Sequence, residues 1–392
     1  MNYMKKPIVI VGGGFSGVNA ALNLKKINSS LPIVVIDSNS HFLFKPLLYE
    51  VLSNEIKQWE VAPTFNNIFS NTGITFLRNH LENIDLAKNI VEFQDDLKIQ
   101  YQYLILCTGS THNNFGIEGV DKNCYFFSTN EDQIKLKSFL ERPLIESSNN
   151  RIFIVGAGPS GVELACKIDD IYNQKFRISI IEKTNEILSN NKFFNREEAE
   201  KSIEKRNIEL LLNTSVNEIR EDEIVISSKS NQVENLIYAG VIWTAGIKPN
   251  LPTFTQEIET RNSRILINKY LQMTSNTNVF ALGDIAIIDG DDNYPVTAQV
   301  AMQQGIHVAK NINLKIDNNK LLPFEYIDKG EMISLGIGNA SISGLGLTLS
   351  GKLAFELRRI IYASKMPRVE RSFKSTASWI LTKKALIQKN KF

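Results

Sequence analysis

The sequence predicts an α/β protein built on two Rossmann-like dinucleotide-binding domains, followed by a basic, amphipathic C-terminal region. Three observations carry this reading. A strand, a glycine-rich turn and a helix follow one another near the start of the chain. The same arrangement returns 144 residues later, and positive charge is concentrated at the end of the sequence.

The first unit opens with the apolar, β-branched run Ile8-Val9-Ile10-Val11. It continues into Gly12-Gly13-Gly14-Phe15-Ser16-Gly17 and the helix-like stretch from Val18 to Lys26. A second strand, Ile33 to Ile36, ends on Asp37 and completes a βαβ unit. One G-x-G-x-x-G is a weak signal, because glycine clusters also make ordinary loops; the flanking strand, helix and acid give it weight. In a dinucleotide site the first glycine makes the tight turn and the second admits the pyrophosphate. The third lets helix and strand pack closely, and the acid accepts from ribose hydroxyls.

The copy runs from Ile152-Phe153-Ile154-Val155 through Gly156-Ala157-Gly158-Pro159-Ser160-Gly161, a helix from Val162, and a strand from Ile178 that ends on Glu182. Between the copies lies the apolar run Tyr103 to Cys107, stopped by Thr108-Gly109-Ser110. The polar stretch around Ser147 to Asn150 reads as a connection between domains. A third strand-like run, Asn278 to Leu282, ends in Gly283-Asp284, and a helix is expected from about Val296 to Ile312.

Composition narrows the function class. With 43% hydrophobic and 22% charged residues, 22 Gly and 11 Pro, the chain is an ordinary globular protein and not a low-complexity one. Three scattered cysteines without C-x-x-C spacing suggest neither a disulfide framework nor a zinc site, and a reducing compartment fits them. No apolar run reaches the length of a membrane span, and the first one is too short for a signal peptide. From Lys352 onward, seven Lys and four Arg face only Glu356 and Glu370, a net +9 in a chain of net +2. The partner this implies is an anionic surface. Leu353, Leu357, Ile360 and Ile361 form a helical stripe, with Lys352, Glu356, Arg358, Arg359 and Lys365 on the other side. A second segment, Phe373 to Leu386, is less regular. Lipid is the expected partner; nucleic acid is not, since the tail lacks interleaved aromatics or a nucleic-acid-binding fold.

Two dinucleotide sites in one chain imply a bound flavin paired with a nicotinamide. At this point the chain resembles the two-dinucleotide-binding-domain flavoproteins, in which the first motif holds FAD and the second NADH or NADPH. The resemblance implies that Thr108, Gly109, Gly283 and Asp284 return to the flavin. Where disulfide reductases of that family carry a redox cysteine pair, this chain reads His41 to Glu50, which excludes a dithiol mechanism. Ala298-Gln299-Val300-Ala301-Met302-Gln303 matches the A-Q-x-A-x-Q pattern of type II NAD(P)H:quinone dehydrogenases, and its i, i+4 spacing puts Gln299 and Gln303 on one helix face. Phe44-Lys45-Pro46-Leu47-Leu48-Tyr49-Glu50, Trp59-Glu60-Val61-Ala62-Pro63, Trp243-Thr244-Ala245-Gly246 and Leu322-Pro323-Phe324 are similar to the demethylphylloquinone reductase branch of cyanobacteria and plastids.

That resemblance implies hydride transfer from NAD(P)H to FAD, then two electrons to a membrane naphthoquinone near Gln299 and Gln303. Glu163 matches a glutamate that handles a proton, or else is an N-terminal-turn acid favoured by the helix dipole. Lys45, Pro46, Ala245 and Gly246 fall in the matched motifs. The rival readings are a respiratory dehydrogenase feeding the bulk quinone pool, a reductase of a ferredoxin-like carrier, and an NAD(P)H-responsive binding module. The domains expected are 1–112 and 276–345 for FAD, 113–275 for NAD(P)H, and 346–392 for membrane-associating helices. The enzyme would sit peripherally on the cytoplasmic side of an inner or thylakoid membrane, with a homodimer left open.

Overall fold

The computed structural model describes residues 6–143, 150–291 and 294–367. Within them the chain forms two compact units, one from residues 6–43, 62–111 and 248–327, the other from 44–61, 112–247 and 328–367.

The first unit is organised by a nine-stranded sheet. Its centre is parallel: Ile8–Val11 lies between Ile33–Asp37 and Tyr103–Leu106, in registers that pair Val11 with Ile36 and with Leu106. Ile74–Arg78 extends one side and Asn276–Ala281 the other. The central strand is apolar at every position because both its faces are covered, as parallel strands require. Thr297 caps the helix Ala298–Ile316 by accepting from the Val300 amide at 3.3 Å.

The second unit repeats the plan with a five-stranded parallel sheet in the order Glu209–Leu211, Arg177–Ile181, Arg151–Val155, Gly240–Trp243, Cys124–Tyr125. The helix Pro159–Tyr172 packs on it through Val162, Leu164, Ala165 and Ile168. A hairpin, Ala340–Gly344 with Leu347–Ser350, is covered by the helix Gly351–Lys365. Ala340, Ala354 and Phe355 form their shared core, with Ile342 and Leu349 against it.

Two features depart from the sequence reading. Residues 248–275 group with the first unit, because the antiparallel strands Arg264–Ile267 and Gln272–Met273 join its sheet through Asn276–Ala281. Residues 44–61 and 328–345 group with the second. The stripe Leu353, Leu357 and Ile360 is exposed, and the helix turns Ala354, Phe355 and Arg358 inward, so Arg358 belongs to the buried face and not to the solvated one. The segment Phe373 to Leu386 lies outside the described residues. Among the described residues, no helix is long and apolar enough to cross a membrane.

Candidate active site

In the first unit, the turn from Ile8–Val11 into the helix Phe15–Ile27 is closed on two sides and open on a third. Gly12 has φ +102°, and a Cβ there would lie 2.2 Å from the Cys107 carbonyl oxygen. A Cβ at Gly17 would lie 1.9 Å from the carbonyl oxygen of Gly12. At Gly14, by contrast, a Cβ would meet nothing within 4 Å. That free space sits at a helix N-terminus, where backbone amides favour phosphate. Asp37 Oδ2 accepts from the Gly13 amide at 2.7 Å, and Oδ1 accepts from the Asn39 amide at 2.7 Å. The carboxylate is thereby fixed at the turn with lone pairs left for ribose hydroxyls.

The other first-unit residues gather around this turn's sheet. The Thr108 hydroxyl donates to the Asn250 carbonyl at 2.6 Å, and the Asn250 amide donates to the Gly109 carbonyl at 2.8 Å. Ser110 donates to Asp284 Oδ2 at 2.5 Å. The Gly283 amide donates to Gln304 Oε1 at 2.7 Å, so the buried Gln304 reaches the Gly283-Asp284 turn. Ser16 is buried, and Phe15 meets Phe42 edge to face at 5.3 Å. Ala298 and Gln299 open the helix Ala298–Ile316. Gln303 is clamped to Ile327: its Nε2 donates to that carbonyl at 2.9 Å and its Oε1 accepts from that amide at 3.0 Å.

The second unit holds the copy. Gly156 has φ +103°, a Cβ at Gly161 would lie 1.9 Å from the Gly156 carbonyl oxygen, and a Cβ at Gly158 would meet nothing within 4 Å. Pro159 occupies the start of its helix, where a missing N–H costs nothing, and Ser160 follows. Glu182 repeats the role of Asp37. Its Oε2 accepts from the Ala157 amide at 2.8 Å, and its Oε1 accepts from the Thr184 amide at 2.9 Å. Ala245 and Gly246 follow the strand Gly240–Trp243, and there Gly246 accepts from the Asn113 amide while Trp243 Nε1 donates to the Asn113 carbonyl at 2.9 Å. Each turn therefore fits a dinucleotide: an opening that any side chain would fill, and an acid held beside it by the chain's own amides. A carboxylate at position 182 favours ribose hydroxyls over a 2′-phosphate. NADH is expected to be the better donor, and Glu182→Gln should raise the NADPH/NADH ratio of kcat/KM about fivefold, the effect of roughly 1 kcal/mol of repulsion. A wild-type preference for NADPH that Glu182→Gln leaves unchanged would sink this assignment.

Sequence reasoning missed a buried charged cluster in the second unit. Glu163, on the helix Pro159–Tyr172, accepts from the Ser334 amide at 2.7 Å. Arg358 donates to Glu50 and, at 2.8 Å, to the Pro46 carbonyl, and its Nη2 lies 3.5 Å from Glu163. Arg358 and Glu50 have no exposed surface. Burial pushes the Glu163 carboxyl up to about 7, against the pull of Arg358 and the Ser334 amide. Burial also opposes ionisation of Glu50, but Arg358 and Lys167 outweigh it and hold that carboxyl below its ordinary value. Burial and the neighbouring Glu163 charge push the Tyr49 hydroxyl well above its ordinary value, so it stays protonated. Lys45 is exposed and stands outside this cluster. The structure thus brings Pro46 and Glu163 together through Arg358, a residue the helical periodicity alone assigns to solvent.

The cysteines do no visible chemistry. Burial pushes the Cys107 and Cys124 thiols up to about 12 and Cys166 to about 11, so none is a thiolate at neutral pH. Among the described residues no group of His, Cys, Asp and Glu could hold a metal ion.

Two nucleotide turns with separate acids, and no dithiol, define a flavin- and nicotinamide-dependent oxidoreductase. The profile of the pyridine nucleotide-disulphide oxidoreductases matches residues 6–305. The chain is 33% identical over 389 residues to demethylphylloquinone reductase NdbB of Synechocystis sp., covering 95% of both proteins. It is 32% identical to the alternative NAD(P)H-ubiquinone oxidoreductase C1, chloroplastic/mitochondrial, of Arabidopsis thaliana, covering 96% of this chain and 80% of that one. Its fold matches NDH2 from Plasmodium falciparum with a TM-score of 0.86 at 20% identity, over 97% of this chain and 98% of that one. The chain belongs to the pyridine nucleotide-disulphide oxidoreductases and, within them, to the type II NAD(P)H:quinone oxidoreductase family. It is an FAD-dependent oxidoreductase.

Proposed function

We propose that this chain is an NAD(P)H:quinone oxidoreductase whose acceptor is a membrane naphthoquinone, with demethylphylloquinone the first candidate. The observation that carries the reading is the similarity to demethylphylloquinone reductase along 95% of both chains, supported by the duplicated turn. FAD, when bound, supplies the two-electron chemistry that links a hydride donor to a quinone. The chain's own residues do the positioning. Gly14 and Asp37 hold one dinucleotide; Gly158 and Glu182 hold the other. Gln299 offers an amide to a quinone carbonyl, and Gln303, occupied by Ile327, fixes the segment that follows the helix. Glu163 keeps a proton available near neutral pH.

The helix Gly351–Lys365 is the part we assign to an anionic lipid surface, where a hydrophobic quinone is reached without crossing water. Its row of Leu353, Leu357 and Ile360 is 68%, 40% and 56% exposed, so these side chains are not spent on the unit's own core. The protein is then peripheral, on the cytoplasmic side of an inner or thylakoid membrane.

Steady-state turnover of the flavin-loaded protein tests the reading, with NADH and NADPH against menaquinone-like, phylloquinone-like and plastoquinone-like acceptors and a ferredoxin. Naphthoquinones should turn over fastest; rapid reduction of ferredoxin with none of the quinones reduced overturns it. In stopped flow, Gln299→Leu should slow reoxidation by quinone five- to tenfold, about one hydrogen bond's worth, and leave reduction by NADH within about twofold. Equal damage to both half-reactions would mean that Gln299 supports the fold instead.

A further inference from the structure

Beside the start of the helix Gly351–Lys365 lies a cavity of about 580 Å³ whose wall includes Asp170, Glu198, Lys201, Lys205, Arg206 and Lys352. Both acids are occupied. Asp170 takes the fork of Arg206, with Nε–Oδ1 at 2.8 Å and Nη2–Oδ2 at 2.9 Å, and accepts from the Ile337 amide at 2.7 Å. Glu198 pairs with Lys201 at 2.8 Å. Among the described residues no acid pairs with Lys205 or Lys352, which are both exposed. The cavity therefore carries two uncompensated positive charges.

Its wall is built closely. Gly336 has φ +105°, and a Cβ there would lie 2.1 Å from Asp170 Oδ2 and 2.4 Å from Arg206 Nη2, so the backbone rests directly on the ion pair. At Gly338, which lines the cavity, a Cβ would meet nothing within 4 Å, and that side stays open. The surroundings decide which anion fits. Lys352 is followed at once by the exposed row of Leu353, Leu357 and Ile360. The hairpin packed on the same helix adds Leu345 and Leu347, 80% and 73% exposed. A free phosphate has no use for apolar surface next to its charge, and the base of a nucleotide would cover only part of a row that runs two turns along a helix; a phospholipid has a charged head and chains long enough for the row.

We propose that this cavity is a headgroup site, in which Lys205 and Lys352 hold the phosphodiester of an acidic phospholipid whose acyl chains lie along the Leu353–Leu357–Ile360 row. The proposal rests on the lipid-surface reading and deepens it: the helix does not only float on a charged leaflet but engages one lipid at a defined place.

Flotation of the full-length, flavin-loaded protein with vesicles tests it, using phosphatidylcholine alone or with about a third phosphatidylglycerol. Point variants are used because loss of the helix would also remove Arg358 from Glu50. Lys205→Ala/Lys352→Ala should weaken binding to the acidic vesicles about thirtyfold, from two lysines at the surface, and leave the weaker binding to neutral vesicles unchanged. Lys122→Ala/Lys229→Ala, the same charge change at exposed positions elsewhere, should cost less than about threefold. Leu353→Ser/Leu357→Ser should weaken binding to both vesicle types. Millimolar inorganic phosphate at matched ionic strength should not displace the wild type; displacement would make the cavity a site for the free anion and overturn the headgroup assignment. If the leucine variant fails while the Lys205/Lys352 variant binds like wild type or like the control pair, the lipid reading stands and the headgroup site is wrong. If wild type binds neither vesicle, the lipid reading falls and takes the site with it.

Discussion

Gly14→Val protein is expected to purify folded and without FAD. The expectation follows from the contrast among three glycines in one turn. At Gly17 any side chain would collide with the carbonyl of Gly12, and at Gly12 with the carbonyl of Cys107, so those substitutions damage the fold itself. At Gly14 the added methyls enter space that the protein does not use and a pyrophosphate must. The variant should lose at least about a hundredfold in FAD affinity, roughly 3 kcal/mol, and with it turnover. The check is flavin absorbance of the purified protein alongside its far-ultraviolet circular dichroism. Stoichiometric flavin in Gly14→Val would mean that the first turn is misassigned, and Gly17→Val should fail in the dichroism as well.

Arg358→Met is expected to cause the largest loss of stability, about 3–5 kcal/mol, because it leaves the Glu50 carboxylate buried without its cation. Chemical denaturation measures it. Adding Glu50→Gln should recover most of the loss, since no isolated charge is then left inside; a double variant as unstable as the single would show that packing of the arginine dominates. The neighbouring Glu163 adds a pH dependence of known sign. Its carboxyl is raised from 4.5 to about 7 in the folded protein, so the folded state binds the proton more tightly than the unfolded state does. That contribution to stability is complete below pH about 4.5 and disappears as pH rises to about 7, and it is on the order of 3 kcal/mol. Glu163→Gln should therefore flatten the stability profile between those limits. It should also remove a limb near pH 7 from quinone reduction, and a profile that keeps both features would assign them to another group.

The parts legible in the sequence were those whose chemistry is local. Gly12 to Gly17 and Asp37 sit within one βαβ unit, as do Gly156 to Gly161 and Glu182. Strand, turn and acid are there forced into contact by chain geometry, and the structure shows both acids accepting from their own loop amides. The buried cluster was not legible. Helical periodicity groups Arg358 with Lys352 and Arg359, and only a partner 308 residues away makes burial of its charge tolerable. Nor does periodicity distinguish Gln303, clamped to Ile327, from Gln304, which turns inward to Gly283. The grouping of 44–61 with the second unit has the same origin. That stretch is held by Arg358 and by the Lys167–Glu55 pair at 2.5 Å, neither of which leaves a trace in a local pattern.

The Glu50–Arg358 pair also imposes an order on synthesis. At about 5–20 residues per second, the 308 residues between the partners take roughly 15–60 s to emerge from a ribosome. During that interval the first sheet can close, while the stretch around Glu50 carries a carboxylate that has no place to be buried. The second unit is thus completed only once the helix Gly351–Lys365 has been translated. A nascent chain interrupted before Arg358 leaves the Glu50 carboxylate without its arginine, so this one pair makes closure of the second unit depend on a residue made long after the first turn.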